Sequence, residues 1–263
     1  MNIFKFELKR SFLSMVSWTV AMMVCISIFM QGMFPIYNDS VDQIMIVMQS
    51  FPKEFLAAFG FSKEMFSFAG FYAFSFTYLT LLGVMFSCTV TLQIFAREKK
   101  SHSQEFLYAK PVTRQKMFLE KLSATIALLI VSNVFLVSWA VMVTMMAGEN
   151  ALVGKIVLAS VSVFCTELLF MAFVILYSVQ ARRVRTISGA AMAFAFAGFI
   201  LSALSGLIDK VEMRYIAPFK YFDPFQAVIN GTYEIQYVAT AAVLFILVMA
   251  LAATRYFNKD VRL

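Results

Sequence analysis

Phe71-Tyr-Ala-Phe-Ser-Phe-Thr-Tyr-Leu-Thr-Leu-Leu-Gly-Val-Met-Phe-Ser-Cys-Thr-Val-Thr-Leu-Gln-Ile-Phe95 runs without a single charged side chain. A hydrocarbon core about 30 Å thick is crossed by roughly 20 apolar residues rising about 1.5 Å each. A barrel strand needs only about 10 residues and alternates polar with apolar, so an unbroken run of this length reads as a transmembrane helix. Five further stretches have the same character, and the six fall at about residues 12–33, 71–95, 122–147, 156–179, 187–208 and 237–254. The expectation is an all-α integral membrane protein with six spans in a single domain.

Composition excludes the alternatives. Of 263 residues, 61% are hydrophobic and 14% charged, with 30 Phe and 18 Met; globular domains carry about 45–50% apolar and about 25% charged residues. The first span follows the basic leader Lys5, Lys9 and Arg10, as a signal peptide would. Its apolar run is about twice a signal core, however, and Phe34-Pro35-Ile36 follows it where a cleavage site would need small residues, so it reads as an anchor. The net charge of +7 is topological. Lys and Arg crowd the N-terminus, the segments 96–121 and 180–186, and the C-terminus. The positive-inside rule therefore expects both termini in the cytoplasm. Nothing in this basic balance points to nucleic acid.

Motifs for chemistry are missing. Gly154-Lys155 has Glu149 where a phosphate-binding loop needs its first glycine, and H-E-x-x-H and G-x-S-x-G do not occur. Cys25, Cys88 and Cys165 all fall within expected spans and His102 stands by itself, so no metal site and no cofactor is expected in this chain.

Four polar or patterned features stand out. At the N-terminus Ile3, Phe4, Leu8 and Phe12 approach one helical face, with Lys5, Glu7 and Lys9 elsewhere. Such a segment can lie in the membrane interface before the chain turns into the first span, or serve only as a charged leader. In the segment 97–116, Ser103 can cap a short helix that holds Glu105, Phe106, Leu107 and Lys110 and stops at Pro111. A helix so short, apolar at two adjacent positions and surrounded by charge, suits docking into a groove of another protein, or a solvated connector on the headgroups. Glu167 is the one ionisable residue deep in a span, where insertion of a charge costs about 2.5–3.5 kcal/mol. It is either a polar functional site or a carboxyl bonded to neighbours such as Asn133 or Gln93. Ala190, Gly198, Ser202 and Gly206 form a small-residue stripe that lets another helix approach, within the chain or between chains.

The aromatic cluster of Phe66, Phe68, Phe71, Tyr72, Phe74, Phe76 and Tyr78 covers every face of its helix, and an interfacial belt in contact with lipid is expected. The preceding loop, with Ile44, Met45, Met48, Phe51, Phe55, Leu56 and Phe59, suggests interfacial helices.

Glu98, Glu105, Phe106, Leu107, Pro111, Val112, Thr113 and Arg114 together resemble the cytoplasmic loop of type-2 ABC transporter permeases, with His102-Ser103 where that family usually has Gly-Thr. Ala217-Pro-Phe-Lys-Tyr-Phe-Asp-Pro-Phe225 and the tail Tyr256-Phe-Asn-Lys-Asp260 are similar to other segments of the family. The resemblance implies a half-transporter of the bacterial plasma membrane. Two six-helix permeases, alike or related, would each rest on a separate ATPase subunit that holds ATP and Mg, and would export a hydrophobic or amphipathic substrate. It implies further that residues 103–110 are the coupling helix, with Glu98, Glu105 and Arg114 as charged anchors and Phe106 and Leu107 as the apolar plug. Phe4, Lys5, Leu8 and Lys9 would belong to an elbow helix on the inner leaflet, and Gly198, Ser202 and Gly206 to a dimer interface. An ion-coupled secondary transporter using Glu167 is the alternative, and a membrane enzyme or sensor subunit is a third.

Overall fold

A computed structural model describes residues 3–52, 55–56, 61, 63–97, 113–181, 184, 186–208 and 211–258. Among these, α1 spans Ile3–Ser27, α2 Phe34–Asp39, α3 Val41–Gln49, α4 Phe68–Phe95, α5 Arg114–Met146, α6 Val153–Gln180, α7 Ile187–Ile208, α8 Val211–Arg214, α9 Pro224–Asn230 and α10 Ile235–Phe257. No strand occurs among the described residues. Among the described residues six helices are long and apolar enough to cross a membrane, the first running from Ile3 to Asp39.

The N-terminal segment does not turn before the first span. Phe4, Lys5, Leu8 and Lys9 belong to the opening turns of α1, which is continuous to Ser27. Nothing from Lys5 to Phe12 breaks a helix, since the segment holds neither Gly nor Pro. The face it buries is Ile3, Glu7, Ser11, Met15, Thr19, Met22 and Ile26, not the Ile3–Phe12 face, and Phe12 is exposed. Residues Ile28–Met33 widen into a π-helical turn, in which the Phe34 N–H reaches back to the carbonyl of Phe29. The wider turn carries the helix past Pro35, whose ring nitrogen has no hydrogen to donate.

Helix α4 is the hub. It is buried over 78% of its apolar window and meets α6, α7, α1 and the short α9. Its aromatic side chains therefore do not form a lipid belt. Phe68, Phe71, Tyr72, Phe74 and Phe76 are buried, with Tyr72 stacked on Phe76 at 4.6 Å and Tyr37 against Phe71 at 5.1 Å. A helix apolar on every face can be covered by lipid or by protein, and here α6, α7, α1 and α9 cover it. Around it, α5 packs on α1 and α6, and α10 packs on α6. In the loop after the first span Val41–Gln49 is helical, as its sequence suggests, but α3 buries none of its side chains, and Phe59 lies outside the described residues.

Turns are set locally. The left-handed residues Gly148 (φ 81°) and Gly231 (φ 69°) lead into the α5–α6 connection and close α9, conformations that cost a side-chain-bearing residue more. Ser67 caps α4 by accepting from the Gly70 N–H at 3.0 Å, a contact worth about 0.5–2 kcal/mol.

Candidate functional site

Residues 98–112 connect Arg97, just past α4, to Thr113, the cap of α5. Glu98, Ser103, Glu105, Phe106, Leu107 and Pro111 lie outside the described residues, while Arg114 is described. The two ends that carry this loop are anchored by a layer of polar contacts. Arg97 pairs with Glu7 of α1 at 3.3 Å, with side-chain exposures of 18% and 6%. The Glu120 carboxylate of α5 accepts from the backbone N–H groups of Ile3 and Phe4 at 2.7 and 3.2 Å. These are orphan donors at a helix start, where a carboxylate is also favoured by the helix dipole. The Arg114 guanidinium donates to the carbonyl of Phe257 at 3.2 Å, which ties the start of α5 to the end of α10.

Beneath this layer lies an aromatic one. Phe118 meets Phe95 at 5.8 Å, Tyr256 at 5.2 Å and Phe257 at 5.6 Å. The buried Lys121 places its ammonium 6.0 Å from the Phe95 ring. Four chain segments thus converge on one end of the bundle: the N-terminus, the end of α4, the start of α5 and the end of α10. Of these, α4 also meets α6, α7 and the short α9.

The intramembrane polar site sits deeper. Glu167 is fully buried in α6. Asn133 Nδ2 of α5 donates to Glu167 Oε2 at 2.6 Å and to the Leu129 carbonyl at 3.0 Å, while Ser87 Oγ of α4 donates to the Glu167 backbone carbonyl at 2.8 Å. Glu167 Oε1 and Asn133 Oδ1 have no hydrogen-bond partner among the described residues. Gln93, the other neighbour considered from sequence, instead approaches Ser14 Oγ at 3.5 Å. Further ties run between α1 and α5: the Thr19 and Ser132 hydroxyls lie 2.7 Å apart, and Trp139 Nε1 donates to Ser27 Oγ at 2.9 Å. In a lipid-embedded bundle such contacts link helices that have no hydrophobic drive to associate.

The small-residue stripe of α7 is used within the chain. A Cβ on Gly198 would stand 2.3 Å from Phe170 Cζ and 2.7 Å from Phe219 Cε2. Ser202 is buried as well, while Gly206 is half-buried. The face that α7 leaves uncovered is Met192, Phe196, Ile200, Leu204 and Leu207. The space above Gly198 is therefore taken by Phe170 and Phe219 of the same chain and is not open to a second copy.

Sequence reasoning missed Glu7, Glu120 and Lys121 as organisers of the loop-bearing end. The signal for Glu7 was its spacing of four from both Ile3 and Ser11; Glu120 and Lys121 fall in the segment 96–121, whose charges the sequence reading used only for topology. Gly83, which makes room for Glu167, carried no signal. Among the described residues no three His, Cys, Asp or Glu side chains converge as metal ligands. The model of the family described as ABC-2 family transporter protein matches residues 1–261. No curated protein and no solved structure matches the chain.

Proposed function

The chain belongs to the ABC-2 family of transporter proteins, and from that premise we propose that it is the permease half of an ATP-powered exporter. A separate ATPase subunit grips residues 98–112, and the substrate is hydrophobic or amphipathic. ATP and Mg sit in that partner, and two permeases, alike or related, assemble with two ATPases. Both termini and the loop face the cytoplasm in this arrangement.

The observation that carries the reading is the mounting of the loop. ATP binding can favour one helix arrangement over another only through differential contact with the two states. A loop on flexible ends would dissipate such a push. Here its ends are held by Glu7–Arg97 and by Arg114 at the Phe257 carbonyl, so displacement of the loop reaches α1, α4 and α10 together. Glu105, Phe106 and Leu107 supply the charged rim and apolar plug of the coupling helix, Ser103 its cap, Pro111 its stop and Glu98 an anchor before it.

Glu167 then has a packing role. An ion-coupled carrier would need its carboxyl to meet water, whereas Glu167 is wholly enclosed and bonded to Asn133. Reconstitution tests the reading: the purified chain alone should hydrolyse no ATP, and vesicles should move substrate only when an ATPase bearing a phosphate-binding loop is added. Transport driven by a proton gradient without that subunit would overturn it.

A further inference from the structure

Two arginines at the loop-bearing end are arranged for something beyond topology. Arg10, one turn before Ser14 on α1, and Arg97, just past the end of α4, line one open pocket of about 580 Å³ together with Ser14, Ser17, Trp18 and Gln93. The two helices run in opposite directions, and the Gln93–Ser14 contact at 3.5 Å together with the Glu7–Arg97 pair at 3.3 Å fixes the level at which they cross. Arg10 and Arg97 therefore face one pocket where the apolar spans begin, which the Ser14 and Ser17 hydroxyls, the Gln93 amide and the Trp18 indole also line.

None of the described residues that line the pocket is acidic. Arg97 shares its charge with Glu7. The Arg10 guanidinium lies 5.7 Å from the Phe6 ring, and no carboxylate among the described residues is paired with it. Topogenic arginines alone need no pocket: they are exposed singly at span ends. A planar cation with several fixed donors, beside hydroxyls, is suited to a phosphate oxygen. A tryptophan at the same depth is at home in the headgroup region.

We infer that this pocket binds the phosphate headgroup of an anionic lipid from the leaflet at the loop-bearing end, with Arg10 as the main contact, Arg97, Ser14 and Ser17 as supporting donors, and Trp18 against the upper acyl chain. Basic pockets between transmembrane helices hold anionic headgroups by this chemistry. The inference does not depend on the export reading, since the lipid site would serve any transport mode.

Trp18 reports on its own site. The chain has two Trp, so a Trp139→Phe background leaves Trp18 as the only indole. The full chain is reconstituted in phosphatidylcholine vesicles containing phosphatidylglycerol or phosphatidylcholine brominated near the glycerol. Brominated phosphatidylglycerol should quench Trp18 at a relative affinity roughly fivefold or more above brominated phosphatidylcholine, the scale expected per basic residue near a membrane surface. Arg10→Gln should remove most of that preference, and Arg10→Lys should retain part of it. Equal quenching by the two lipids, or a preference unchanged in Arg10→Gln, overturns the site. So does a response of Trp18 to inorganic phosphate in pure phosphatidylcholine without any lipid preference, because the ligand would then be a soluble phosphate. No ATPase is present in the assay, so its failure leaves the transport reading standing.

Discussion

A Cβ placed on Gly83 would stand 2.6 Å from Glu167 Oε1 and 2.8 Å from Val163 Cγ1. The missing side chain of one span is thus the space occupied by the only acid deep in another, and α4 and α6 can approach closely because of it. Gly83→Ala is expected to force α6 outward at a cost of about 1–3 kcal/mol. In detergent its thermal midpoint should fall by several degrees, about 2–4 °C per kcal/mol for a chain of this size. Gly154→Ala, where nothing lies within 4 Å, should not lower the midpoint.

Glu167→Gln keeps the volume and an oxygen that can accept from Asn133, so ATP-driven transport and stability should stay near wild type. Asn133→Leu leaves the buried carboxyl without its partner, and a loss of about 1–3 kcal/mol is expected. Scanning calorimetry or a thiol-accessibility melt would check both. A transport defect in Glu167→Gln at wild-type stability would support ion coupling instead.

The pair between Glu7 and Arg97 joins α1 to the end of α4 at low exposure. A double-mutant cycle with Glu7→Gln and Arg97→Gln should give a coupling energy on the order of 1–2 kcal/mol. The single variants should also weaken ATP-driven transport more than they weaken folding, because they loosen the seat of the loop. Equal transport in all four proteins would remove that role.

Gly198→Ala should destabilise the chain even at dilutions where copies are separated, since the clash is with its own Phe170 and Phe219. Fluorescence size exclusion would show a broadened monomer peak. A purely dimer-specific loss would reinstate the stripe as an interface.

The spans were legible because bilayer thickness imposes a length, and α7 falls at residues 187–208 as the apolar run predicts. Asn133 was foreseeable as the partner of Glu167, because a buried carboxyl must be matched by one of few polar side chains. The elbow was misread since amphipathic spacing does not reveal a break, and Lys5 to Phe12 contains none. The aromatic belt was misread because position within a bundle is a property of all six helices, and nothing in Phe66 to Tyr78 states that α4 is central. The stripe at Gly198 revealed a close approach without revealing by whom. Residues 98–112, on which the docking proposal rests, are read from sequence and from the fixed points on either side.

Copurification of an ATPase subunit with this chain, wild type against Phe106→Asp, tests the division of labour most directly. The account predicts a stable complex whose ATP hydrolysis drives transport for the wild type, and loss of complex or of coupling when a charge replaces the apolar plug. An undiminished complex and undiminished transport in Phe106→Asp would contradict it.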